Sequence, residues 1–270
     1  MEHLAVPLKI LENLPAVWTF LLIFVRYAAF MIVVPGIGSG MRGAIVRIPA
    51  VFAFSIASMA QSPIAPLPDG LGPMLAGVIA EVLLGAVIGF LPLLIVSGAQ
   101  TAAHLASTSM GLGANQLLDP TSGSTVNDLS RIIGDIAILV FLGTGGDHVV
   151  LMAVSGLGGT IMPGTFLIGE PSMNLLVERS AHVFRAATML SAPVIVALLL
   201  TQFVMGLISR AVPTVNIFIV SFPLTIGIGL ILTALALPDT VVYLTHDINR
   251  LEDSILVVTQ DATTVPIQTP

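Results

Sequence analysis

Apolar positions collect into six long runs: Leu14–Val34, Ala44–Ala60, Met74–Ser97, Ile132–Gly158, Val183–Ile208 and Val215–Leu237. About 20 apolar residues in a helix cross a bilayer core, so the pattern predicts an all-α polytopic membrane protein of about six helices. The second run is short and carries Arg47 and Pro49. The fourth is interrupted by Gly143-Thr144-Gly145-Gly146-Asp147-His148, where a polar pair caps a chain reversal or lines a cavity. Polar loops are expected over Gly98–Arg131 and Ile161–His182. Beyond the last run, Leu244, Ile248, Leu251, Ile255 and Val258 recur at spacings of four and three, which predicts an amphipathic helix; Gln260–Pro270 reads as a disordered tail. Glu2 and Glu12 precede a first run too long for a cleavable signal, so insertion as a mature multi-span chain is expected.

Inside the runs the helices are unusual. Pro49, Pro92, Pro193 and Pro223 each remove a backbone donor, which predicts bent helices packed against protein rather than a straight bundle. Gly77, Gly85 and Gly89 fall on one helical face with Glu81 between them, and Gly85 and Gly89 form a G-x-x-x-G pair suited to a close helix approach. Arg26 lies near the middle of the first run and Glu81 within the third. A charge at mid-membrane costs about 2.5–3.5 kcal/mol on insertion scales, so both are expected to face protein: each other, or groups on other subunits. An assembly contact is the favoured role, because a proton or ion path needs further acidic groups at similar depth. Asp135 is expected to pair locally with Arg131, and Arg185 to anchor at an interface.

Composition removes whole classes of function. Of 270 residues 56% are apolar and 9% charged, where a soluble domain carries about 25% charged residues. A soluble enzyme, a disordered linker and a nucleic-acid binder are excluded. Cysteine is absent, which excludes disulfides and thiolate chemistry. The loop basic residues divide three against three (Lys9, Arg179 and Arg250; Arg42, Arg131 and Arg210), so orientation is not set by them.

Enzyme signatures appear only as near misses. Gly36-Ile37-Gly38-Ser39-Gly40 has its serine in the wrong place for a nucleophile elbow, and Thr144-Gly145-Gly146-Asp147 has no tyrosine-aspartate partner. The five histidines lie far apart, so no metal spacing exists, and no catalytic residue, cofactor or metal site is assigned. The loop Gly98–Arg131 holds Met110, Leu112, Leu117 and Leu118 among glycines and small polar residues. An adaptable packing segment and an exposed connector stand level on these residues. A stand-alone solute or ion transporter, with Arg26, Glu81 and Asp135 lining a path, is the reading from a different class, although no inverted repeat supports it.

The segment from Ser209 to Leu224, with Arg210, Pro213, Asn216, Phe218, Phe222 and Pro223, resembles the FliR/SctT family of type III export-gate membrane proteins. It departs from that family's pattern at Thr214 and Ser221. Arg26 with Pro35, Met110-Gly111, Asp119-Pro120 and Gly146-Asp147-His148 follow the family in order, so the resemblance covers Phe20 to Pro238. It implies a FliP-like helical part over 1–181, a FliQ-like hairpin over 182–243 and a closing amphipathic helix and tail over 244–270. It further implies a flagellar export gate assembled with FliP, FliQ and FlhB homologues, passing unfolded proteins and closed by a plug within loop 98–131. Carried onto this chain, Met110, Gly111, Leu112, Leu117 and Leu118 form the plug. Phe222-Pro223-Leu224-Thr225 lacks the Pro-x-Lys typical of the injectisome branch, the second reading within the family.

Overall fold

The computed structural model describes residues 13–36, 40–112, 128–156, 161–212 and 217–263, with backbone alone at 40–42, 217–218 and 261–263. All regular structure among these residues is helical: α1 (Leu14–Val33), α2 (Gly40–Met59), α3 (Leu71–Met110), α4 (Asp128–Gly143), α5 (Gly146–Val154), α6 (Glu170–Ala211), α7 (Ile217–Asn249) and α8 (Leu251–Thr263). The chain is thus an all-α polytopic membrane protein. Four described stretches, beginning in α1, α3, α6 and α7, are long and apolar enough to cross a bilayer, and the broken pair α4–α5 makes a fifth if counted as one span. The remaining expected run, the second (Ala44–Ala60), is the shorter apolar helix Gly43–Met59.

Two helices overrun their apolar stretches. α3 continues 13 residues past Ser97, so the loop expected from Gly98 starts only after Met110. Its polar residues do not break it because Thr101 donates to the carbonyl of Ser97, Thr108 to that of His104 and Ser109 to that of Leu105. Such bonds absorb the hydroxyls within the helix, while Ala99, Ala102, Ala103 and Ala106 bury a small-residue face. α6 likewise begins at Glu170, inside the expected second loop. Pro49, Pro92, Pro193, Pro223 and Pro238 all lie within continuing helices.

The chain folds as two compact units. The first holds residues 1–93, 145–178 and 249–270. Its core is built on α1, where Trp18 and Leu22 pack with Ala65, Met74 and Val78, and the Thr19 hydroxyl accepts the Ala65 amide at 2.9 Å. α8 packs on α5 in this unit. The second unit holds residues 94–144 and 179–248, with Ala106, Met110, Val194 and Leu198 at its centre. The five tail positions from Leu244 to Val258 are all buried, in register with the sequence pattern, but divided between the end of α7 and α8. Helix continues to Thr263, so disorder does not begin at Gln260 as expected; residues 264–270 lie outside the description.

Candidate functional site

In the first unit a stripe of small residues brings α3 onto α1. Gly77 faces Trp18 and Leu22, Gly85 faces the backbone of Arg26, and Gly89 faces Phe30 and Val33. A methyl group on Gly85 would stand 3.0 Å from the Arg26 carbonyl carbon and 3.1 Å from the Phe30 nitrogen, so only glycine fits without separating the helices. At this approach Glu81 meets Arg26. The Arg26 Nε donates to Glu81 Oε2, and Nη2 donates to Oε1 at 3.0 Å, a two-point pairing of guanidinium with carboxylate. The two side chains are 1% and 0% exposed.

Each charge also holds a backbone group of the segment that follows the helix break. Arg26 Nη1 donates to the carbonyl of Val154, the last residue of α5, at 3.3 Å. A cation at a helix C-terminus is favoured by the helix dipole. Gly164 N–H donates to Glu81 Oε1 at 2.6 Å. Gly164 has φ +86°, and a Cβ there would stand 3.2 Å from Leu22. Both charges are satisfied within the chain, and neither offers surface to a passing solute. Asp135, the third residue of the transporter reading, is exposed on α4. His148, from the glycine-rich break, borders a cavity of about 240 Å³ with Tyr27, Ser58, Gln61 and Ser155.

In the second unit α3 ends in a fitted contact. The Met110 side chain is 1% exposed and packs with Ala106, Val194 and Leu198. A methyl group on Gly229 of α7 would stand 2.7 Å from its sulfur and 2.8 Å from its Cε, so the absence of a side chain at 229 makes the hole that Met110 fills. The last carbonyls of α3 find donors on other helices: Gln202 Nε2 on Ser109 O and Thr225 Oγ1 on Met110 O, both at 3.4 Å. Gly111 then turns the chain out of the helix with φ +88°, beside the Phe222 ring. Leu112 packs half-buried on the same cluster.

Leu117 and Leu118 lie outside the described residues, as do Pro213 and Asn216 and the side chain of Phe218. Arg210 is exposed in the last turn of α6, and Phe222 and Pro223 lie in the first turns of α7. Gly164, Val154, Gln202, Thr225 and Gly229 were given no contact role from the sequence. Thr225 stood only in the motif that separates the two branches, and Gly229 carried a signal as the second glycine of Gly227-Ile228-Gly229 in an apolar run.

Residues 17–251 match the family model described as bacterial export proteins, family 1. The chain belongs to this family. Among members of known name, it is 29% identical over 240 residues to the flagellar biosynthetic protein FliR of Caulobacter vibrioides, covering 88% of this chain and 95% of that relative. The Bacillus subtilis FliR is 28% identical over 231 residues, covering 83% and 86%. The Yop proteins translocation protein T of Yersinia pestis is 23% identical over 154 residues, covering 56% and 59%. As a bacterial export protein with several membrane-length helices, the chain is a membrane component of a type III export system. Its family description names export rather than a reaction.

Proposed function

We propose that the chain is a structural, non-enzymatic subunit of the flagellar type III export gate, in the inner membrane at the flagellar basal body. In this reading it assembles with FliP, FliQ and FlhB homologues around a channel that passes unfolded flagellar proteins. The carrying observation is alignment of a flagellar FliR over 95% of its length within a family match spanning 17–251. The injectisome reading has less behind it, since translocation protein T aligns with 56% of this chain. Residues 1–181 would form the FliP-like part, 182–243 the FliQ-like hairpin and 244–270 the closing helix and tail. Val196, Leu199, Phe203 and Leu207 on α6 and Ile231, Leu235 and Val242 on α7 are exposed, apolar surface suited to lipid and neighbouring subunits.

Closure in this account is steric. Met110 is the fixed root of the plug, Gly111 the turn that frees the chain from the helix, and Leu112, Leu117 and Leu118 the apolar seal. The burial of Met110 and the positive φ of Gly111 support that division of roles. Arg26 and Glu81 hold the subunit's own helices together, a role the buried pair supports better than a contact between subunits. Arg210, Pro213, Asn216, Phe218, Phe222 and Pro223 shape the entry into α7. The test is affinity purification of a tagged chain in mild detergent, with every co-purifying subunit quantified by mass spectrometry. FliP and FliQ homologues in fixed stoichiometry are expected. Recovery of the chain alone overturns the assignment in favour of a stand-alone transporter.

A further inference from the structure

We infer that the groove between α1 and α2 is a binding site for a membrane phospholipid, with one acyl chain lying in the groove and the phosphate held by Arg47. The two helices are joined by aromatic contacts, Phe20 edge-on to Phe52 and Tyr27 stacked on Phe54, each with ring centroids 5.8 Å apart. Elsewhere along the same pair a groove of about 210 Å³ remains, its lining including Phe24, Ala28 and Ile32 of α1 and Ala44, Ile48 and Val51 of α2. The small side chains of Ala28 and Ala44 leave this space unfilled. Ile32 and Ile48 are 69% and 65% exposed, so the groove lies at an outward apolar surface.

Arg47 is the only charged residue of the lining, and it is half-buried on α2. That combination selects the occupant. A slot of this volume takes a stretch of one polymethylene chain, whereas a helix is about 10–12 Å across and could insert only side-chain tips. An acyl chain leaving an equally apolar bilayer gains little from burial alone, so retention depends on the polar end. A guanidinium supplies five donors in a planar fork that matches a phosphate, and can serve one in addition to any contact it makes within the protein. An arginine can lay its aliphatic stem along apolar surface while its head reaches toward a headgroup layer. Basic residues between membrane helices recognise lipid headgroups by this chemistry.

The test is native mass spectrometry of the full-length chain, purified in mild detergent and equilibrated with phosphatidylglycerol and phosphatidylethanolamine. Wild type is expected to retain one phospholipid after the others are stripped. Arg47→Ala should lower that retained fraction by about tenfold, as loss of a charge-assisted contact implies. Ile48→Trp fills the groove with Arg47 intact and should displace the lipid as well, which keeps the test decisive if Arg47→Ala does not fold. A photo-crosslinker at residue 48 in membranes should capture phospholipid. Unchanged retention in both variants overturns the proposal, and so does capture of a polypeptide at residue 48, which would mark the groove as a subunit interface.

Discussion

Glu81 and Arg26, 55 residues apart in sequence, form a buried ion pair whose remaining donors and acceptors fasten the end of α5 and the segment after it. Removing one partner strands the other in an apolar interior. Arg26→Ala or Glu81→Ala should therefore destabilise the chain by about 3–5 kcal/mol. Arg26→Met with Glu81→Leu should be milder than either single change, because neither charge is left unpaired. Charge exchange, Arg26→Glu with Glu81→Arg, should recover only part of the loss: a carboxylate would face the Val154 carbonyl and a guanidinium the Gly164 amide. Unfolding followed by the fluorescence of Trp18, the chain's one tryptophan, reads these differences from inside the same unit. Full recovery on exchange would refute the role given to the two backbone groups.

Gly85→Ala should cost about 1–3 kcal/mol, the usual range for forcing atoms into a packed contact, since its methyl group would press on the Arg26 backbone. Gly72→Ala on the same helix has open space around it and should be neutral or slightly stabilising. Thermal unfolding of both variants in one detergent checks the contrast. Equal effects would mean that the close approach of α1 and α3 is not what fixes glycine at 85.

The Met110 and Gly229 pair predicts coupling rather than additivity. Gly229→Ala alone should expel the methionine and destabilise the chain by about 1–3 kcal/mol. Met110→Ala alone leaves a cavity and should cost about 2–5 kcal/mol. Together the two should cost less than their sum, by at least about 0.5 kcal/mol, because the alanine at 229 occupies space vacated at 110. A double-mutant cycle on the purified chain measures that term, and a value of zero would separate the two residues.

Much of this architecture was legible in residue types. Glycine at 77, 85 and 89 with Glu81 between them marked the α3 face that meets α1, because nothing larger lets two backbones so close. The tail's apolar register marked five buried positions. Helix ends were less legible, since Thr101, Thr108 and Ser109 look like loop residues until their hydroxyls are seen bonded to their own helix. The partners of Arg26 and Glu81 beyond each other were not legible at all. The Val154 carbonyl and the Gly164 amide are backbone groups, which every non-proline residue carries and no side chain announces. The seat of Met110 on Gly229 was hidden for a related reason: it joins positions far apart in sequence through the absence of a side chain.

If this chain helps to close an export gate, ion flux through the purified assembly in liposomes reads that closure. Deleting residues 113–118 leaves Met110 and Gly111 in place and removes Leu117 and Leu118. A clear rise in ion leak is expected, with subunit composition unchanged. Leak equal to that of the intact assembly, at the same composition, would contradict it.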